Sequence, residues 1–408
     1  MKELKRVFVP LETVTPTWMG GAALQPELRP PSVRGCLRYW LRALLGGTLG
    51  EDLPLLREAE GAVFGNVTRA SPIVVRLDGS PETGPATLSA EDFPGACYMF
   101  WSTYQRKRDA ILPGQTCQMQ FHSRAWDFPD VEVGGEAISV ERSFHYAASA
   151  LWLLLRLGGV GARARRSGGV LRAAEQPAGW PESVPSPVSR VAEPNQLAAE
   201  LADGLKTIRR SVPWQTSAPA TVTSFDVLHP DVSQIFVADR TFPTWWEALD
   251  WSGRQLQEFR RSHVSDAGAI AELLTRGRMT AQRIQRAILG LPMVFFFKSI
   301  FEELTAKGVP DRDARRRASA TVAPQRGLTR ASPLIVRVVP LACEPQRYAV
   351  TMQLFRSRFL PDRQISVKPQ DRSVRPVSVD APENHLLIDD WFDFVREEGT
   401  SLTPVEMV

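Results

Sequence analysis

Arg69-Ala-Ser-Pro-Ile-Val-Val-Arg76 returns later in the chain as Arg330-Ala-Ser-Pro-Leu-Ile-Val-Arg337. Six of the eight positions are identical, and the other two exchange one aliphatic residue for another. The offset, 330 − 69 = 261 residues, is too long for a solenoid repeat. Proline suits the first residue of a strand and branched side chains suit its body, so Ser-Pro followed by an aliphatic run reads as a strand entry. The same strand twice predicts two copies of one kind of domain.

Reading outward from the first copy, residues 1–172 predict strand, helix, strand, strand, helix, strand. Lys5–Val14 is a branched, alternating run. Ser32–Leu45 reads as a helix capped by Ser32 and closed by Gly46-Gly47. Pro72–Leu77 is the repeated strand. In Thr116–Ser123, Cys117, Met119 and Phe121 alternate with polar residues, which predicts a strand with one wet face. Glu141–Leu157 is apolar on most sides and reads as a buried helix. Gly168–Leu171 supplies the last strand. This βαββαβ order is the ferredoxin-like plan of RNA-recognition modules, in the α+β class.

Five prolines between Pro177 and Pro194 predict an unpacked linker or surface loop over 173–220. A second βαββαβ unit is expected over 221–408, with a helical insertion at about 244–289. Its strand order is not legible. Further strands are expected at Met293–Phe297, Pro333–Val339 and Tyr348–Phe355, and an acidic, aromatic helix at Pro382–Glu398.

A chain of 408 residues has room for two domains. No apolar run is long enough to cross a membrane, and the N-terminus has no signal-peptide core, so a cytoplasmic protein is expected. The cysteines (Cys36, Cys97, Cys117, Cys343) and histidines (His122, His145, His229, His263, His385) are scattered, with neither C-x-x-C nor H-E-x-x-H spacing. No metal and no cofactor are expected. Net charge is only +4, but seven of the 49 basic residues are lysine and 49 − 7 = 42 are arginine. Arginine offers a planar fork for phosphate and a face for stacking.

Three basic constellations stand out. Arg34, Arg38 and Arg42 line one stripe of the first helix, with Arg29 just before its start, where free N–H groups favour anions. Three such cations repel one another unless anions lie close. An isolated helix of this kind more often presents a solvated face, or pairs with carboxylates such as Glu58 and Glu60. The second is Gly158-Gly-Val-Gly-Ala-Arg-Ala-Arg-Arg-Ser-Gly-Gly169, where Gly159 and Gly161 allow close backbone approach and Arg163, Arg165 and Arg166 offer phosphate partners. It follows a helix and lacks the dinucleotide spacing. A flexible basic loop would read the same way. The third runs from Arg312 to Arg330 (Arg312, Arg315, Arg316, Arg317, Arg326, Arg330) without apolar period and reads as a mobile loop. Arg69, which flanks the first repeat as Arg330 flanks the second, completes the candidate RNA-binding set.

Catalytic patterns are thin. His145 lies inside a helix, His122 on a wet strand face, and Asp389, Asp390 and Asp393 on the acidic helix.

Three segments resemble a known family: Thr15-Pro-Thr-Trp-Met-Gly-Gly-Ala22, then Pro26-Glu-Leu-Arg-Pro-Pro-Ser-Val-Arg-Gly-Cys-Leu-Arg-Tyr-Trp-Leu-Arg-Ala43, then Phe64-Gly65 ahead of Ser71-Pro72. They are similar to RAMP proteins, and within them to subunit one of the Cmr complex, the type III-B CRISPR effector. Gly158–Gly169 is similar to the glycine-rich RAMP loop. Leu289-Gly-Leu-Pro292, Arg330-Ala-Ser-Pro-Leu334 and Phe359-Leu-Pro361 are similar to that family's C-terminal half. The resemblance implies two ferredoxin-like RAMP domains in a non-catalytic subunit. That subunit would cap an antiviral ribonucleoprotein, touching the 3′ part of the guide crRNA, the 5′ part of the target RNA, and other RAMP subunits. Two alternatives remain open. One is a metal-independent RAMP endoribonuclease that processes guide precursors through His145 or His122. The other is a scaffold without RNA contacts, docking through Asp389–Glu398 and Trp245/Trp246.

Overall fold

The computed structural model describes residues 5–21, 25–124, 128–214, 222–262, 266–327 and 329–407. Ala22 and His263, named above, lie outside them.

The first sheet joins strands Arg6–Thr13, Ile73–Asp78, Thr116–Ser123 and Leu171–Ala173. Numbered by chain position these stand in the order 2-3-1-4, antiparallel throughout. Helix Pro30–Leu49 lies between strands one and two, and helix Val140–Leu157 between three and four. The predicted wet-face alternation of Thr116–Ser123 holds, with Cys117, Met119 and Phe121 buried. They share one core with Val7, Val9 and Leu11 of the first strand, and with Leu37, Leu41, Phe144 and Leu151 of the two helices.

The helix ends differ from expectation. The first helix starts at Pro30-Pro31, with Arg29 as its cap residue. Proline's fixed φ fits the first helical turn, where its missing N–H costs nothing. Gly46 and Gly47 sit inside the helix, where a Cβ would meet Phe225 at 2.6 Å and the Leu228 carbonyl at 2.5 Å. They are packing glycines, not a stop. A further helix, Leu53–Phe64, starts where the Asp52 side chain accepts the Leu55 N–H at 3.1 Å.

The second sheet repeats the plan. Strands Ser233–Ala238, Leu334–Pro340, Tyr348–Phe355 and Leu402–Pro404 also stand in the order 2-3-1-4, antiparallel. Helix Trp245–Ser262 follows the first strand and helix Leu386–Glu397 precedes the last. The repeated octapeptide therefore feeds the second strand of both sheets. Trp245–Ser262, expected within an insertion, is the helix that packs on this sheet. The inserted material is helix Asp266–Arg276, a 3₁₀ turn at Gln285–Leu289 and a third sheet. That sheet pairs Met293–Phe296, Ser319–Pro324, Gln364–Pro369 and Val377–Asp380. The Met293 strand thus belongs outside the repeated plan. The Arg312–Arg330 stretch, expected as a mobile loop, overlaps helix Asp311–Arg317 and contains strand Ser319–Pro324. Burial of Ala314, Ala318, Ala320 and Val322 holds this helix and strand in place.

The 173–220 stretch departs from the unpacked linker over residues 173–214, and 215–220 lie outside the described residues. Its residues Pro194–Arg210 form a helix that buries Leu197, Leu201, Leu205 and Ile208, and Trp180 and Val188 pack on the first core.

The two sheets are unequally covered. Leu334, Val336, Val338, Val350, Met352 and Leu354 face the helices of the second unit, while Ile335, Val339, Ala349 and Phe355 join the core of the first. The second sheet is thus buried on both faces. On the side facing the first unit, Arg337 donates to the Leu155 and Leu171 carbonyls, and Gln353 Nε2 donates to the Leu157 carbonyl at 2.9 Å. These carbonyls include the end of helix Val140–Leu157, where cations and donors are favoured.

Candidate nucleic-acid interface

The three arginines of the first helix do lie on one stripe, but each has a partner within the fold. Arg34 Nη2 donates to the Ile73 carbonyl at 3.0 Å. Arg38 reaches Glu60 at 2.6 Å and the Phe64 carbonyl at 2.7 Å. Arg42 meets the other Glu60 oxygen at 2.7 Å. Glu60, on helix Leu53–Phe64 with its side chain only 10% exposed, is the anion that relieves repulsion along the stripe. Of the two carboxylates considered above, it is the one used. The stripe therefore fastens two helices and the repeated strand together.

The glycine loop is built for close backbone approach within the protein. Gly161 has φ +78°, and a Cβ there would collide with the Trp18 carbonyl; at Gly159 it would meet the Gly168 carbonyl at 2.7 Å. The loop's arginines turn toward the second unit. Arg165 Nη1 donates to the Ser332 carbonyl at 2.7 Å, and Arg166 Nη1 to the Leu334 carbonyl at 2.7 Å. Both acceptors belong to the second repeat. Arg165 also pairs with Asp226 at 2.5 Å, which accepts from Tyr39 Oη at 2.9 Å and Ser357 Oγ at 2.8 Å. Burial alone would raise the Asp226 carboxyl, but Arg165 holds it below the usual range.

The remaining candidates divide in two. Arg330 donates to Ser357 Oγ at 2.8 Å and lies over the Phe359 ring. Arg29, Arg69, Arg163 and Arg326 form no ion pair among the described residues, and Arg326 is exposed. Arg163 Nε donates to Ser102 Oγ at 3.0 Å. That contact leads to residues outside the three constellations. Trp101 is 57% exposed, and Arg106-Lys-Arg108 follows at the end of the same turn. The sequence signal is a run of three cations soon after a tryptophan. It falls between strands two and three of the first unit, where the βαββαβ plan directs no attention.

The catalytic candidates do not converge. His145 projects from its helix to Ser183 Oγ, which lies 3.1 Å from Nδ1 in the stretch that follows the last strand of the first unit. His122 Nδ1 lies 2.9 Å from the Ser123 carbonyl. Asp389 pairs with Arg356 at 2.6 Å and Asp393 with Arg396 at 2.6 Å. Among the described residues no cluster of three or more His, Cys, Asp or Glu is placed to hold a metal ion. No helix among them is long and apolar enough to cross a membrane.

The family model of the RAMP superfamily matches residues 10–172. The Cmr subunit Cmr1-2 of Pyrococcus furiosus is 33% identical over 174 residues, 40% of this chain and 91% of that protein. The chain belongs to the Cmr1 family of RAMP proteins. Cmr1-1 of the same organism is 30% identical over 154 residues, 36% of this chain and 40% of its own length. The Cmr1 likeness in fold runs through the whole chain. The apo crystal structure of P. furiosus Cmr1 superposes with a TM-score of 0.58 at 20% identity, covering 98% of each chain. A chain of the type III-B Cmr-beta complex bound to cognate target RNA gives 0.52 at 10% identity, covering 97% of this chain and all of that one.

Proposed function

We propose that this Cmr1-family chain is a non-catalytic, RNA-binding subunit that caps a type III-B CRISPR ribonucleoprotein. It would contact the 3′ part of the guide crRNA, the 5′ part of bound target RNA, or both, and would touch neighbouring RAMP subunits. The observation that carries this reading is the end-to-end likeness in fold to a chain of a Cmr complex that holds target RNA. We further infer two ferredoxin-like RAMP domains, 1–172 and 221–408, with 173–220 as a bridge in which Trp180, Val188 and helix Pro194–Arg210 pack on the first; the shared 2-3-1-4 strand order supports this. The candidate RNA surface is the outer edge of the Arg34, Arg38 and Arg42 stripe, together with Arg29, Arg69, Arg163 and Arg326. Arg165 and Arg166 belong to its support, because their guanidiniums hold the second unit, and Arg330 turns inward within that unit to Ser357 Oγ and the Phe359 ring.

Photo-crosslinking in the reassembled effector complex tests the reading. Crosslinks from this chain are expected at the 3′ end of the guide or the 5′ end of the target. An EDTA-resistant cut of guide precursor by the purified chain, lost in His145→Ala or His122→Ala, would replace it with the endonuclease reading. Complete assembly with no RNA crosslink to this chain would replace it with the scaffold reading.

A further inference from the structure

We propose that Trp101 and the Arg106-Lys-Arg108 turn form a stacking and phosphate site for one unpaired stretch of RNA. This deepens the RNA-binding reading and rests on it. Helix Trp101–Tyr104 is a single turn, closed by the Gln105 N–H to the Trp101 carbonyl at 2.9 Å. The Lys107 N–H then returns to the Tyr104 carbonyl at 3.0 Å and the Arg108 N–H to the Thr103 carbonyl at 3.2 Å. One compact turn thus carries an indole and three consecutive cations. All three cations are exposed and none forms an ion pair among the described residues.

The turn is fixed from below. Trp18 Nε1 donates to the Arg108 carbonyl at 3.0 Å, and the Trp18 ring meets Phe100 edge-on at 4.7 Å. Trp18 is also the residue on which Gly161 rests, through the bond from the Ala162 N–H to the Trp18 carbonyl at 2.8 Å. Arg163 binds Ser102, the neighbour of Trp101. The turn and the glycine loop are therefore tied together through Trp18 and Arg163.

The chemistry selects the ligand. A large apolar ring left 57% exposed has no packing role that requires its indole. Single-stranded nucleic acid binds where aromatic faces receive bases and nearby cations follow the backbone. Arginine and lysine side by side tolerate the irregular phosphate spacing of an unpaired strand, and the indole accepts any base. The site should therefore show little sequence preference.

The test is an anisotropy titration of the full chain with a labelled oligouridine at several salt concentrations. Trp101→Ala should weaken binding about tenfold, the size of one lost stack, while Trp101→Phe stays within about threefold. Arg106→Ala with Arg108→Ala should flatten the salt dependence by about 1.4 in log–log slope, two phosphates at roughly 0.7 each. Lys107 is left in place because its φ is +45°. The unaltered chain, irradiated with 5-iodouridine RNA, should crosslink at Trp101, a readout independent of any variant's folding. If the chain binds no RNA, the functional reading fails and this site with it. If it binds RNA but Trp101→Ala binds equally well and Trp101 takes no crosslink, the functional reading stands and the stacking site is overturned. Trp101→Ala that keeps RNA affinity but loses a Cmr subunit would mark a protein contact instead, and overturns the site as well.

Discussion

Arg76 and Arg337 close the two copies of one phrase and stand at the same place in equivalent strands, yet their surroundings are opposite. Arg76 is exposed. Arg337 is 2% exposed, and burial pushes its guanidinium pKa down, with Arg156 adding to the shift. Truncating Arg337 leaves the Leu155 and Leu171 carbonyls without their Nη2–H donor and opens a void, so Arg337→Ala should cost about 1–3 kcal/mol. Arg76→Ala at an exposed position should stay within about 0.5 kcal/mol. Denaturant midpoints of the two variants, measured side by side, check the contrast; equal midpoints would contradict the assignment.

At the scale of elements, patterns set by one residue's own neighbours were readable and those set by tertiary contact were not. The alternation in Thr116–Ser123 and the apolar breadth of Val140–Leu157 place both correctly, because half-burial and full burial leave direct marks on residue choice. Gly46-Gly47 misleads, since a glycine that makes room for a neighbour looks like one that ends a helix. Prolines mislead over 173–220 for a related reason: they break the approach to helix Pro194–Arg210 but also start it, with Pro194 in its first turn. The arginine stripe was visible, but its partner Glu60 was one of two candidates until helix Leu53–Phe64 fixed which side it faces. Gly204 gives a test of packing against propensity. Alanine in a helix interior is favoured over glycine by about 1 kcal/mol, but a Cβ on Gly204 would run into the buried Trp152 ring, and overpacking costs about 1–3 kcal/mol. Trp152 is anchored by its Nε1–H to the Ser186 carbonyl at 3.0 Å, so it cannot yield cheaply. Gly204→Ala is expected to lower the thermal midpoint, against the usual trend.

For the whole molecule, a buried histidine of the second unit sets a response to acid. His385 stands at the N-cap position of helix Leu386–Glu397, makes no side-chain cap bond there, and is 7% exposed. Desolvation, reinforced by Arg356 and Arg330, pushes its pKa down to about 4, with Asp389 opposing. The folded state therefore holds His385 neutral, while the unfolded chain takes up a proton near its ordinary 6.5. Stability is complete above that pH and is lost as pH falls from about 6.5 to about 4, by on the order of 3 kcal/mol. Asp226, held low by Arg165, loses its contribution only below its ordinary range near 3.8. The denaturant midpoint should decline across pH 6.5 to 4 in the native chain and much less in His385→Gln. A flat native profile would place His385 in contact with solvent.

The clamp of Arg337 on the Leu155 and Leu171 carbonyls also bears on how the second sheet finds its pairing. A strand that slips by one residue exchanges its two faces entirely. For Leu334–Pro340 nearly every residue is apolar and buried, so hydrophobicity alone scarcely distinguishes one face from the other. A single guanidinium removes the ambiguity. In the slipped pairing it would enter the layer formed by Val350 and Met352 of the neighbouring strand with no acceptor, a penalty comparable to the net stability of a whole domain. Arg337 is thus a register mark: it makes the wrong alignment of an otherwise uniform strand unaffordable.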